Sequence, residues 1–202
     1  MKTTAKLLIF LPLLATAPTL LAATSDLALS ADLGATRQSG DGESGNAVSA
    51  SVGLSYQITP NWSVLLNYTD SGEADLLSIS DTFAGGNLVY DATLSLDSSA
   101  IGLFAQYLTE RQIEQWSFGG RLGLVRWDAD VNVTVHASPD IGLALASDKG
   151  TDLSAGLLAQ YALTEKWDLT TGLDYMRYTI SFDGESTDVT NTRLYIGLKN
   201  SF

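Results

Sequence analysis

Apolar and polar residues alternate along most of this 202-residue chain. Alternation with a period of two predicts β-strands that have one apolar and one polar face. Eight such segments can be recognised, and almost no stretch has the periodicity of a helix. Their apolar faces begin at Leu27, Val48, Trp62, Ile101, Trp116, Leu153, Trp167 and Leu194. The sequence therefore predicts an all-β fold.

The connections between these segments are alternately short and long. Two short ones, 56–62 and 161–167, share the pattern Tyr-x-apolar-Thr-x-x-Trp, and 107–116 is a longer variant. Turns that alternate in this way indicate antiparallel strands that run up and down in chain order. We expect the other connections to be long polar loops, at about 37–46, 70–90, 129–150 and 181–191.

Tyrosine and tryptophan residues flank the short connections, all of them on the apolar face. Such side chains concentrate where lipid tails meet head groups, whereas a soluble core would scatter them in depth. A girdle of this kind beside short turns is typical of outer-membrane barrels. The predicted girdle at the periplasmic end consists of Tyr56, Trp62, Tyr107, Trp116, Tyr161, Trp167 and Phe202. We therefore predict an eight-stranded, antiparallel, up-and-down transmembrane β-barrel; a soluble secreted barrel is the alternative.

The polar face of the strands is rich in glycine and serine and carries few charges. A soluble barrel would cover this face with lysine and glutamate, whereas the narrow interior of eight strands holds small side chains. Five charged residues project inward by parity, namely Asp32, Arg121, Asp174, Arg193 and Lys199. Because a buried charge needs a partner, we expect Asp174 to pair with Arg193 and Asp32 with Lys199. These charges form either a structural plug, which we favour, or a gated ion path.

Residues 1–23 carry two lysines, an apolar run interrupted by prolines and a small-residue end. This is the layout of a secretory signal peptide, and the run is shorter than the roughly 20 residues of a spanning helix. We expect cleavage near residue 23 and a mature barrel domain over residues 24–202.

The chain has 23 acidic and 11 basic residues, which argues against nucleic acid as a partner. It has no cysteine, so packing and hydrogen bonds must hold it together.

Three stretches are more specific than alternation: GLVRWDADVNV, DKGTDLSAGLLAQYALTEKWDL and the terminal YIGLKNSF. They resemble the OmpA-like family of eight-stranded outer-membrane barrels over about residues 26–202. In that family the barrel assembly machinery reads an alternating C-terminal strand that ends in phenylalanine. The resemblance gives this role to Leu194, Ile196, Leu198 and Phe202, although Asn200 stands where an aromatic residue is commoner. Full-length OmpA-type proteins continue into a peptidoglycan-binding domain, and that activity is not carried over.

Candidate chemistry is sparse. The single histidine is His136, two residues before Ser138. This His-x-Ser is similar to the motif of a lipid A deacylase barrel family, but Pro139 and Asp140 replace that family's Asn-Ala. With one histidine and no cysteine, a metal site built from these ligands is not expected. We predict no catalytic residue and no cofactor.

We expect a non-enzymatic protein of the Gram-negative outer membrane with a structural or surface-interaction role. The alternatives are a narrow channel or carrier for small molecules or ions and, less favoured, a lipid-modifying enzyme. We expect a monomer whose partners are outer-membrane lipids, lipopolysaccharide and the barrel assembly machinery. The long loops are acidic, which we interpret as a solvated rim; weak divalent-cation bridging to lipopolysaccharide phosphates is the alternative. We also expect the fourth and fifth strands to extend past the membrane over 92–96 and 128–135, with a bulge near 98–100.

Overall fold

The structure is a computed structural model that describes residues 26–82, 89–110, 115–136, 141–182 and 185–202. The expected signal peptide, residues 1–23, lies outside the described residues. Eight strands account for nearly all of the described chain. They are β1 (Leu27–Gly40), β2 (Glu43–Gln57), β3 (Trp62–Thr82), β4 (Val89–Leu108), β5 (Trp116–His136), β6 (Ile141–Ala162), β7 (Trp167–Phe182) and β8 (Glu185–Ser201). No helix among these residues is long and apolar enough to cross a membrane.

Each strand pairs with its neighbours in the chain, and the last strand pairs with the first. All pairings are antiparallel, so the eight strands form one closed up-and-down barrel. β1 and β8 pair from Ala28 with Ser201 to Gly40 with Val189, and the amide of Phe202 donates to the Leu27 carbonyl oxygen over 3.1 Å. The predicted fold is therefore confirmed.

The two turns that share a sequence pattern also share a hydrogen-bond pattern. The Thr59 hydroxyl accepts from the amide of Trp62 over 3.1 Å, and the Thr164 hydroxyl accepts from the amide of Trp167 over 3.0 Å. In both turns the tryptophan carbonyl oxygen accepts the amide of the apolar residue before the threonine. The repeated threonine therefore closes the turn, which explains its fixed distance from the tryptophan.

The expectation of long polar loops at the opposite end is wrong, because most of those residues belong to strands. β1 and β2 meet at a two-residue turn in which Asp41 and Gly42 have φ angles of 50° and 87°. An Asp-Gly pair with two positive φ angles is the preferred turn of a tight hairpin. The other three connections likewise begin only after Thr82, His136 and Phe182. Serine, glycine and aspartate in these stretches resemble loop residues, but the strands carry several of them on exposed faces, for example Asp75, Asp130 and Ser147.

The outward side chains change from apolar to polar part of the way along the strands. On β5, Leu122 and Leu124 point outward and are 58% and 59% exposed, and Asp128 is exposed on the same face further along. The inward side chains change in the opposite sense, so that Trp127 and Ala129 are buried. The parity of β5 is unbroken, and only the polarity inverts. An apolar outer belt contacts lipid and a polar outer surface contacts water, so the inversion marks where the strand leaves the hydrocarbon.

Beyond this belt the barrel divides into two facing sheets, which we call the upper sandwich. Pairing of β2 with β3 ends at Ala50 and Asp70, and pairing of β6 with β7 ends at Ser154 and Met176. Past these points β7, β8, β1 and β2 form one sheet, and β3 to β6 form the other. Both sheets contribute to an apolar core that contains Leu96, Trp127, Ala129, Tyr178, Ile180 and Val189. The strands thus continue above the belt as a sandwich with an apolar interior.

The register slips on β3 rather than at the predicted bulge near residues 98–100 of β4. Ser71 is the extra residue between the pairs Asp70–Ser99 and Gly72–Ser98. Gly72 has a φ of 73°, and its amide donates to the Asp70 carboxylate over 3.0 Å. Glycine tolerates this left-handed conformation without a steric penalty. β4 keeps its parity, and its residues 92–96, like 128–135 of β5, continue as strand.

The polarity inversion predicts where β5 meets water. Because the chain has no cysteine, a single cysteine can report on each level of the strand. We expect Asp128→Cys to react with a membrane-impermeant maleimide about tenfold faster than Leu124→Cys in lipid vesicles, since only a thiol in water ionises readily. Both positions face outward on one strand, so each variant is the control for the other. Equal labelling rates would contradict the assignment of the boundary.

Candidate functional site

Two buried ion pairs cross the middle of the barrel interior. Arg121 of β5 donates to Asp174 of β7 through two nitrogens, its Nε reaching Oδ1 over 2.8 Å. Arg193 of β8 donates to the carboxylate of Asp32 on β1, and its Nε donates to the Ser49 hydroxyl over 2.8 Å. The two arginines are only 8% and 3% exposed. Charges this deeply buried are tolerated because each has a hydrogen-bonded partner of opposite sign.

Aromatic rings fill the space around the two guanidinium groups. The Tyr195 ring lies between them, with its centroid 5.1 Å from Cζ of Arg121 and 5.0 Å from Cζ of Arg193. The Phe104 ring lies 5.0 Å from Cζ of Arg121. Planar guanidinium groups stack favourably on aromatic faces. We call this cluster the lumen plug; it consists of Asp32, Phe104, Arg121, Asp174, Arg193 and Tyr195.

Glycines on neighbouring strands make room for the lumen plug. Gly156 lies directly opposite Asp174, and Gly172 directly opposite Tyr195. A Cβ atom at Gly156 would collide with the Asp174 carboxylate, and one at Gly172 with the Tyr195 hydroxyl. The glycine-rich inner face is therefore the counterpart of a few large side chains in a narrow barrel.

The structure places all five predicted inward charges inside the barrel and bears out one of the two expected pairs, as a long contact. Asp174 and Arg193 are directly opposite in the register and form an ion pair of 3.9 Å, but the hydrogen-bonded partner of Asp174 is Arg121. Asp32 bonds to Arg193, not to Lys199, and also accepts from the Ser51 hydroxyl over 2.7 Å. Long arginine side chains reach across the lumen, so parity alone does not define the pairs.

The partner that sequence reasoning missed is Asp168. It lies directly opposite Lys199 on β7 and supplies the nearby negative charge. Asp152 is also missing from the predicted inward charges, although its carboxylate accepts a hydrogen bond from the indole N–H of Trp127 over 2.7 Å. Both aspartates have the parity of inward residues, so the alternation that located the other charges would also have found them.

Two small cavities lie next to the lumen plug. One, of about 50 Å³, lies on the upper side, where Asn67, Met176 and Asn191 also line it. The other, of about 30 Å³, lies towards Lys199 and Gln160. A buried water occupies roughly 10–15 Å³ on this measure, so each cavity has room for a few waters. Arg121 borders both cavities and separates them.

The aromatic side chains beside the short turns form cross-strand pairs. Trp62 lies opposite Tyr107 with ring centroids 5.1 Å apart, and Trp116 lies opposite Tyr161 with centroids 5.0 Å apart. The Trp62 ring is 49% exposed, as expected for a side chain that faces lipid head groups. The fourth tryptophan, Trp127, points inward and belongs to the upper sandwich.

The C-terminal strand carries its apolar side chains on the outer surface. Leu194, Ile196 and Leu198 are 60%, 56% and 42% exposed. Asn200, which departs from the family pattern, is buried, and its side-chain amide lies 3.5 Å from the Lys166 carbonyl oxygen. The role of this strand as an assembly signal stays a prediction.

The candidate chemical residues do not converge on a site within the described chain. The His136 ring lies at the exposed end of β5, where its Nε2 is 3.1 Å from the Thr93 hydroxyl. Ser138 lies outside the described residues. Among the residues that are described, no group of three or more histidine, aspartate or glutamate side chains is placed to hold a metal ion.

A closed barrel with an apolar outer belt and a charged, polar interior defines a protein of the bacterial outer membrane. The chain belongs to the family described as outer membrane protein beta-barrel domain, whose model matches residues 7–202. The predicted localisation and the OmpA-like resemblance are thereby confirmed. A search of curated proteins finds no match.

Solved structures share the architecture at low sequence identity. Neisserial surface protein A is 19% identical, with 87% of this chain and 97% of that chain covered and a TM-score of 0.58. OprG from Pseudomonas aeruginosa is 14% identical, with coverages of 88% and 96% and a TM-score of 0.55. A major outer membrane protein from Thermus thermophilus is 14% identical, with coverages of 87% and 99% and a TM-score of 0.51. At these identities the likeness concerns the fold alone.

The ion-pair geometry predicts energetic coupling between Asp32 and Arg193. In a double-mutant cycle with Asp32→Asn and Arg193→Met, we expect a coupling free energy of about 2 kcal/mol, because each residue satisfies the other's buried charge. The free energy of unfolding is measured by urea titration in lipid vesicles. A matched cycle of Asp32→Asn with Lys199→Met should be additive within about 0.5 kcal/mol. Stronger coupling in the second cycle would favour the pairing inferred from sequence.

Proposed function

We propose that this protein is a non-enzymatic, closed outer-membrane barrel with a structural and surface-interaction role. The observation that carries the proposal is the closure of the interior at two successive levels. The lumen plug fills the barrel within the belt, and the apolar core of the upper sandwich lies above it. An ion on this path would have to displace buried ion pairs, pass buried polar side chains such as Gln38 and Asn191, and then cross an apolar cluster that cannot solvate it.

This closure predicts little or no conductance in planar lipid bilayers. The purified protein should give no steady current above that of bilayers without protein. We also expect Arg121→Ser to stay closed, because removing its side chain leaves the apolar core around Trp127 and Tyr178 in place. Adding Trp127→Ala to the Arg121→Ser variant tests whether the apolar core of the upper sandwich is the second barrier to ions. A stable ohmic current from the unaltered protein would contradict the proposal and favour a channel.

The lipid partner that we propose is lipopolysaccharide, contacted directly at its phosphates. Four basic residues project outward just beyond the apolar belt, on four different strands; they are Arg37, Arg126, Lys149 and Arg177. Basic side chains at the head-group level attract anionic lipid groups. Inside the barrel, Arg121 and Arg193 are engaged in ion pairs, and Lys199 faces the lumen, so this basic belt is the cationic surface that the described strands offer to lipid.

The members of the basic belt differ in how far they are neutralised. Arg177 pairs with Asp188 over 2.5 Å, and this hydrogen bond holds the pKa of the Asp188 carboxyl below its ordinary value. Lys149 lies directly opposite Asp128. Arg126 is exposed and lies between Ile101 and Thr151 in the register, with no acidic residue directly opposite. Arg37 likewise faces no acidic residue, since Asn46 and Thr192 are directly opposite it. Arg126 and Arg37 are therefore the members best placed to receive a lipid phosphate.

The basic belt predicts salt-sensitive binding of lipopolysaccharide. We expect the double variant Arg126→Gln and Lys149→Gln to lower the affinity about tenfold, which corresponds to the loss of roughly one charge-assisted contact. Affinity is measured by titrating lipopolysaccharide into the protein in phospholipid nanodiscs, with Lys166→Gln at the short-turn end as the matched control. The proposal fails if the double variant binds lipopolysaccharide as tightly as the unaltered protein and the control do.

A further inference from the structure

The core of the upper sandwich contains an apolar cavity of about 320 Å³. One sheet contributes Ile180 and Val189, and the other contributes Leu94, Leu96 and Val131 to its lining. Protein cores are normally packed with few voids larger than a water molecule, and an unfilled apolar volume weakens the fold. A space of this size between two sheets has the dimensions of a small-ligand site.

The cavity continues towards exposed apolar side chains on β6. Leu145 lines the cavity and is 46% exposed, and Leu143 and Ile141 further along β6 are each 53% exposed. Leu145 is the extra residue at the irregularity between the pairs Val131–Ala146 and Asn132–Ala144. The bulge breaks the alternation of β6 beside the opening. An apolar chain inside the cavity would therefore meet further apolar surface on its way out.

The polar groups at the cavity are acidic or neutral. Asp41 and Glu43, on either side of Gly42, both line it, and the Asp41 carboxylate accepts from the Thr187 hydroxyl over 2.7 Å. None of its lining residues among those described is basic. The negative formal charge of the whole chain, −12, adds to this local field. A carboxylate or phosphate head group would be repelled at this rim, whereas an ammonium group would be attracted.

We propose that the upper sandwich binds a cationic amphiphile, with its apolar tail in the cavity and its ammonium group beside Asp41 and Glu43. This inference goes beyond the proposed role of the barrel surface, because it assigns a ligand to the interior. The tail is favoured by removal of its apolar surface from water, and the head group remains near solvent, where pairing with carboxylates costs little desolvation. Binding involves no covalent step.

Methyl NMR on the full mature chain in phospholipid nanodiscs tests the proposal, with decyltrimethylammonium as the probe. We expect saturable shifts of the leucine and valine methyls that line the cavity, namely those of Leu94, Leu96, Val131 and Val189. Decyl sulfate has the same tail and the opposite charge, and it should bind about tenfold more weakly. Lipid-facing Leu122 and Leu157 report simple partitioning of the probe into the disc. Shifts that rise without saturation at both groups of methyls would overturn the proposal.

Two sets of variants separate the tail from the head group. Ala146→Phe fills the cavity and should weaken the binding of decyltrimethylammonium at least to the level of decyl sulfate. Ala159→Phe, on the lipid-facing side of β6, should leave the affinity for decyltrimethylammonium unchanged. Asp41→Asn with Glu43→Gln should abolish the preference for the cationic probe, and asparagine suits the positive φ of position 41. This rim variant also tests the proposal if Ala146→Phe fails to fold. Equal binding of both probes to the unaltered protein would refute the charge assignment.

Discussion

The structure depends on one constraint: every backbone N–H and C=O within the hydrocarbon must find its partner inside the protein. β8 therefore pairs with β1 along its length, down to the amide of Phe202. Closing only eight strands leaves a narrow interior, and that interior cannot be lined throughout by large side chains. The lumen plug concentrates the large residues at one level, and glycines such as Gly156 and Gly172 stand opposite them. The composition of the inner face thus follows from closure.

The same constraint ends where lipid ends, and the architecture changes there. Pairing between β2 and β3 and between β6 and β7 stops near the upper limit of the belt. Unpaired strand edges can be satisfied by water at that height, so the barrel is free to divide into two sheets. Water outside also reverses the preferred polarity of each face, and Trp127 on β5 therefore points inward into an apolar core. β5 is therefore one continuous strand with unbroken side-chain alternation, although its lower part faces lipid and its upper part faces water.

Period-two alternation is sufficient to predict the strands, their antiparallel order and which residues face the lumen. It cannot predict that Arg193 reaches Asp32, because parity defines a face and not the reach of a long side chain. The upper ends of the strands resemble loops in sequence, since serine, glycine and aspartate are common in both settings. The bulge at Ser71 is predicted on the wrong strand because one sequence does not show which partner carries the extra residue. The cavity has no sequence signal, since it arises from how two sheets face each other.

The two binding proposals rest on opposite charges at different heights of the molecule. Basic residues such as Arg126 lie just beyond the apolar belt, where lipid phosphates are found, whereas Asp41 and Glu43 lie at the far turn beside the apolar cavity. An anionic lipid attracted to the basic belt would be repelled by the acidic rim above it. The two surfaces therefore select opposite charges, which allows the outer face to hold lipopolysaccharide while the cavity stays available to a cationic amphiphile. Because the lumen is closed at two levels, such selectivity would act at the surface rather than in passage through the membrane.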